Sequence, residues 1–329
     1  MAKNCTKKIT SIGGSALIEG IMMRGPKRTT VCVRTGENEI YSEDINITTL
    51  ASKGKFFRLP LIRGITGFID SMRLSYKSLM LSADKAIEAG EIEEEEPSKF
   101  EKWLDEKFGD TLVKILMVFA SILGVALAVG LFFFLPSFLF DLTSKFVPAF
   151  QGEGELVVLW KSIFEGVLKI VLFLLYIIAC SQMTEMKRVF MYHGAEHKTI
   201  FCYEDDEELT VENVKKKTRF HPRFGTSFMI LMLIVGIVIG LFVPVAPFGI
   251  GFLRPVFKIL LLPLSCGVGY ELIKICGKHD NWFTRIIAAP GLWAQRITTK
   301  EPDDKMIEVA IKAMEAVIPE DGTDILNNK

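Results

Sequence analysis

"VVLWKSIFEGVLKIVLFLLYIIAC", residues 157–180, decides how this chain is read. It is apolar over a length that crosses a bilayer, which takes roughly 20 residues of helix. Its early charges, Lys161, Glu165 and Lys169, make one end polar. Three further stretches have the same character: 112–135, ending near Pro136; 226–245, "TSFMILMLIVGIVIGLFVPV"; and 252–273, interrupted by Pro255 and Pro263 and carrying Arg254 and Lys258 at its start. One such segment could be the core helix of a soluble domain. Four in one chain cannot share a small soluble core. The sequence therefore predicts a mainly α fold, a polytopic membrane protein with about four transmembrane helices.

Orientation follows from the short loops, because lysine and arginine stay on the cytoplasmic side. The 181–225 loop is rich in both, from Lys187 and Arg188 to Arg219 and Arg223, whereas 136–156 has only Lys145. Both termini and the 181–225 loop are thus predicted to be cytoplasmic, in a multi-pass protein. All four histidines, His193, His197, His221 and His279, then fall on one side. Lys+Arg and Asp+Glu each number 39, a balance that gives no sign of a nucleic-acid partner. The six cysteines lack CxxC or disulfide-like spacing and read as reduced thiols. No apolar stretch follows the basic N-terminus, so no cleavable signal peptide is expected.

Outside the spans the expected organisation has three parts. Residues 1–90 form a cytoplasmic region: a glycine-rich stretch, 11–27, built for turns or close backbone approach; a β-hairpin from 29–35 and 39–48; and an amphipathic helix from about 61 to 88. That helix is expected either to pack on the hairpin as a core helix, the preferred reading, or to lie at the membrane interface. Residues 91–110 read as an acidic linker and entry helix, and 111–290 as the membrane domain. In 291–329, Pro302 with Asp303 and Asp304 marks the start of a C-terminal amphipathic helix, followed by a disordered tail from Asp321.

"YHGAEHKTIFCYE", 192–204, carries the chemistry. His193 and His197 are four apart on a helix and can reach one ion. With Glu196 they form H-x-x-E-H, the inverted zinc-protease order. A divalent metal with three protein ligands and an open position acidifies water, and Glu196 is the expected base. His221 is the nearest candidate third ligand and Glu271 the second; His279 reads as an exposed turn. Arg223 and Arg24, with Glu19, are the candidate substrate-binding residues. This donor set suits Zn, Mn and Fe, and Zn is the expected ion with Mn or Fe as alternatives. The bland reading is that these histidines are interfacial helix-end residues and that Glu196 pairs with Lys187 or Lys198.

"GGSALIEGIMMRGP", "YHGAEHKTIFCYE", "LTVENVKKKTRFHPRFGTSF", "GYELIK" and "PGLWAQRITTKEPDDKMIEVAI" together resemble, in order and over nearly the whole chain, a bacterial family of polytopic membrane proteins. It is catalogued as domain of unknown function 1385 (DUF1385) and described as predicted metal-dependent enzymes. The resemblance implies the bacterial cytoplasmic membrane, metal ligation by His193, His197 and His221, and Glu196 as base. Relatives often have cysteine after "HPR", where this chain has Phe224, so thiol chemistry is left out. The expected function is a membrane-embedded metal-dependent hydrolase, acting on a lipid or a membrane-protein segment, as a monomer or homo-oligomer. The alternative is a metal-binding or transport protein without catalysis, or a scaffold for membrane-protein assembly.

Overall fold

The structure, a computed structural model, describes residues 8–37, 39–90, 115–116, 118–221, 226–276 and 282–326. The expected acidic linker and entry helix, 91–110, lie wholly outside them. In chain order the strands are β1 (Gly13–Leu17), β2 (Gly20–Arg24), β3 (Thr29–Arg34) and β4 (Ile40–Asp44). The helices are α1 (Ile62–Glu88), α2 (Val118–Ser144), α3 (Glu155–Cys180), α4 (Thr184–Glu204), α5 (Val211–Lys215), α6 (Thr226–Gly240), α7 (Leu253–Leu260), α8 (Leu262–Cys276), α9 (Trp282–Thr298) and α10 (Asp304–Glu315). The fold is mainly helical. It divides into two compact units: Met1–Ile92 with Leu174–Met232 and Cys266–Lys329, and Glu93–Phe173 with Leu233–Ser265.

The first unit is organised by an antiparallel meander, β1-β2-β3-β4. The hairpin expected from 29–48 is β3 and β4. The glycine-rich stretch, expected to allow turns or close backbone approach, supplies β1 and β2, joined through Ile18 and Glu19 with Leu17 opposite Gly20. Period-two alternation then sorts the side chains. Ile21, Met23 and Cys32 face a core completed by Ala195, Ile200, Ile307 and Met314 from α4 and α10. Leu17, Met22, Val31 and Val33 face the other way, against Leu74 and Ala86 of α1. The sheet therefore lies between α1 and the pair α4/α10.

Helix α10 starts where the sequence places it: the Asp303 carboxylate accepts from Met306 N at 2.8 Å as an N-cap. The expected disordered tail is ordered through residue 326. Thr10 Oγ1 and Tyr203 OH both donate to Asp324, at 2.7 and 2.9 Å, and Leu326 N donates to Ile9 O. Cys32, Cys180, Cys202 and Cys266 are free thiols, as expected.

Among the described residues two helices, α2 and α3, are long and apolar enough to cross a membrane, and the bent pair α7/α8 makes a third when counted as one span. The expected end of the first span near Pro136 is not observed. Instead a π-helical turn over Gly130–Phe134 precedes Pro136, and the helix runs on to Ser144. Widening the turn there accommodates the proline, which lacks an N–H and crowds the preceding turn. The expected span over 226–245 is helical only to Gly240; Pro244 and Pro247 follow and break it. The α7/α8 pair bends by 46° just before Pro263.

Within the second unit the charges form a buried network. The Arg254 guanidinium donates to Ser162 Oγ at 2.8 Å and to the carbonyls of Gly240, Val243 and Pro244, and pairs with Glu165 at 3.3 Å. It thereby closes the orphan carbonyl end of α6. Lys258 joins the same carboxylate, Lys161 pairs with Asp141, and the Lys169 ammonium sits 4.2 Å from the centroid of Phe133. The polar end of 157–180 is thus part of the helix packing.

Candidate functional site

The centre of α4 is polar and buried: Glu196, His197, Lys198 and Thr199 are each at most 4 % exposed. Such burial is stable only when hydrogen bonds replace water. Two glycines make those bonds reachable. A Cβ on Gly194 would stand 2.0 Å from Lys300 O, so only glycine lets the segment after α9 lie against α4. A Cβ on Gly14 would stand 3.0 Å from the Glu196 carboxyl carbon, and bare backbone there lets Gly14 N donate to Glu196 Oε1 at 3.0 Å.

The same close packing sets the imidazole tautomers. His193 Nδ1 lies 2.9 Å from Thr298 O, and His197 Nδ1 lies 2.6 Å from Arg219 O. A carbonyl only accepts, so Nδ1–H donates in both rings, and Nε2 is the lone-pair nitrogen of each neutral imidazole. Metal-ligating histidines are commonly oriented this way by their other ring nitrogen. The two ring centroids are 4.5 Å apart. Burial holds both rings neutral, lowering His193, and lowering His197 further with the help of His193.

Glu196 points to the sheet. Burial raises its pKa to about 8 against the opposing Gly14 N–H, so at neutral pH it keeps its proton. It does not pair with Lys198, whose ammonium reaches Lys215 O at 3.0 Å and Glu301 at 2.6 Å.

His221 lies near this pair, its centroid 5.9 Å from that of His197. Its backbone is clamped at both ends by one side chain: His221 N donates to Gln295 Oε1 at 2.8 Å, and Gln295 Nε2 donates to His221 O at 2.6 Å. Its ring Nε2 is 3.2 Å from Glu204 Oε2, and the other Glu204 oxygen accepts from Thr10 N at 3.1 Å. Glu204, Gln295, Thr298 and Gly14 are absent from the sequence-derived candidates. Glu204 carried a signal: it closes the "YHGAEHKTIFCYE" stretch seven residues beyond His197, two turns along one helix face.

The remaining candidates go elsewhere. Glu271 forms a two-pronged ion pair with Arg63. Glu19 binds Arg188 and accepts from Tyr192 OH at 3.2 Å, latching the β1–β2 turn onto α4. Arg24 is exposed at the end of β2. Arg223 and His279 lie outside the described residues. Among the described residues no three His, Cys, Asp or Glu side chains gather closely enough to hold a metal ion. Among the described residues the His193 and His197 rings stand side by side with no third donor assembled beside them.

Comparison with known proteins agrees with the resemblance. The family described as "Protein of unknown function (DUF1385)" matches residues 59–320. The "Uncharacterized protein YqhQ" of Bacillus subtilis (strain 168) is 30 % identical over 316 residues, covering 93 % of this chain and 92 % of that one. No solved structure matches. A match over most of the chain, with a relative of nearly equal extent, places the protein: it belongs to the DUF1385 family.

Proposed function

We propose that this chain is a multi-pass protein of the bacterial cytoplasmic membrane, with a divalent-metal-dependent hydrolytic site on α4 facing the cytoplasm. The observation that carries the reading is the pair of imidazoles, four residues apart, each with Nδ1–H held by a backbone carbonyl. That arrangement sets both Nε2 lone pairs before any ion arrives and supplies two ligands. A divalent ion bound there, Zn with Mn or Fe as alternatives, would supply Lewis-acid polarisation of a scissile ester or amide. Glu196, next to His197 in sequence, is the acid–base residue of this reading: its buried carboxyl, held by Gly14 N, keeps a proton at neutral pH. The substrate class is a lipid or a membrane-protein segment. Apolar helices α2 and α3 and the lysine- and arginine-rich 181–225 segment support the membrane placement and the topology.

Elemental analysis of purified protein tests the ion: stoichiometric Zn, Mn or Fe is expected, and His193→Ala should remove it. Glu196→Gln tests catalysis, because it keeps the Gly14 contact while abolishing proton transfer. If that variant supports growth as well as wild type while metal content is unchanged, the hydrolytic role is lost and metal binding survives. An impermeant thiol reagent should leave a cysteine near residue 205 unlabelled in intact cells; labelling would invert the topology.

A second reading has its own observation. Glu19, Glu204 and Asp324 each tie segments far apart in sequence, as a purely architectural polar core would. On that reading the protein is a scaffold for membrane-protein assembly and tolerates Glu196→Gln.

A further inference from the structure

We propose that the outer face of α1, with the basic and aromatic segment leading into it, lies on the anionic surface of the membrane and holds the first unit there. The proposal rests on the membrane reading above. Helix α1 is inside out for a helix in water. Its buried side carries Leu74 as the one large apolar residue and is otherwise small or polar: Asp70 accepts from Leu50 N at 2.8 Å, Ser78 meets Met22, and Ser82 Oγ donates to Ile18 O. Its outer side carries Phe68, Met72, Tyr76, Leu79 and Met80, all exposed, with Tyr76 at 67 % and Met72 at 54 %. At 100° per residue these side chains fill one arc of about 120°, an apolar stripe of the width that interfacial helices present.

Charge selects the occupant. From Lys53 to Lys77 the exposed charged residues are Lys53, Lys55, Arg58, Arg73 and Lys77, all basic. The one acid in that span, Asp70, is buried on the sheet side. Phe56 and Leu59, exposed at 62 % and 49 %, sit among these cations. Exposed aromatics and lysines beside an apolar arc complement anionic headgroups over an acyl boundary. A second copy laid alongside in the same sense would instead stack like charges.

Position agrees. The start of α1 is packed on α8: a Cβ on Gly64 would meet Gly267 Cα at 2.9 Å, and Arg63 grips Glu271. Helix α8 is the second half of the bent pair counted as a candidate span. The apolar arc therefore begins at the end of a segment that itself reads as membrane-spanning.

The test uses the full chain in vesicles of phosphatidylglycerol and phosphatidylethanolamine, with a photoreactive diazirine residue at Met72, at Leu79 or, as reference, at Leu127 of α2. Lipid adducts are expected at all three. Lipid labelling at Leu127 with a cross-linked dimer, or no adduct, at Met72 and Leu79 overturns this inference and leaves the membrane reading standing. No lipid adduct even at Leu127 overturns both. The paired change Lys55→Glu and Arg58→Glu should lower labelling at Met72 by about fivefold or more in anionic vesicles. Wild-type labelling that is equal in purely zwitterionic vesicles would overturn the electrostatic part.

Discussion

Helices α1 and α10 lie on opposite faces of one four-stranded sheet and are amphipathic in opposite senses. In α10 the sheet side is Met306, Ile307, Ala310, Ala313 and Met314, all fully buried, and Lys305, Glu308, Lys312 and Glu315 face outward. In α1 the buried side is Thr66, Asp70, Ser78, Ser82 and Ala86 with Leu74 as its one large apolar residue, and Phe68, Met72, Tyr76, Leu79 and Met80 face outward. Their ends differ too. The Asp303 side chain caps α10, whereas Leu61 precedes α1 with no side-chain cap and a φ of 67°. Helical periodicity distinguishes two faces but does not say which one looks inward. That depends on what medium meets the other side.

The contrast can be broken by experiment. Met306→Ala should destabilise the first unit by about 2–5 kcal/mol, the cost of a large-to-small change in a closed core. Met72→Ala, its counterpart on α1, should change the unfolding free energy in detergent by no more than about 0.5 kcal/mol. Equal losses would mean that α1 is a core helix after all. Gly194→Ala should cost about 1–3 kcal/mol, because the new methyl group overpacks against Lys300 O. It should also disturb the Thr298 contact, visible as a change in the His193 ring ¹⁵N shifts; unchanged shifts would detach the tautomer from the packing. Asp303→Ala should cost about 1 kcal/mol by uncapping α10, and restoring Asn should recover most of it.

The smallest effect is a pH dependence beside α4. Burial pushes Glu301 up, but Lys198 and Arg219 outweigh it and hold the carboxyl below its usual value. Its folded pKa is depressed, so its contribution to stability is present above the unfolded value, about 4.3, and is lost as pH falls through the folded one. The stability curves of wild type and Glu301→Gln should therefore converge in acid. Because Glu301 is mostly exposed, the gap at neutral pH should be small. Curves that stay parallel would remove the ion pairs from the account.

Much of this was legible in residues alone. Span 157–180, the β3–β4 hairpin and the α10 start follow from apolar length, turn chemistry and a capping aspartate. The meander's first two strands did not, because Gly13, Gly14 and Gly20 weaken any strand signal; their place follows from close contacts with α4 and β3. The helix beyond Pro136 was hidden because a π turn is not encoded by a residue type. At the site, the spacing of His193 and His197 was readable, while their tautomers were not. Those depend on carbonyls of Arg219 and Thr298, distant in sequence. Glu271 looked like a ligand by location and is claimed by Arg63, a partner that only the packing reveals.

The bridge between Thr10 and Ile325 has a consequence for biogenesis. The ribosome delivers the sheet first, then 93–173 and 233–265, and only at the end the helix that covers Ile21, Met23 and Cys32. Throughout translation that apolar surface waits without its lid, while the intervening segments are being delivered. A chain ending before residue 304 would lack the α10 side chains that cover Ile21, Met23 and Cys32.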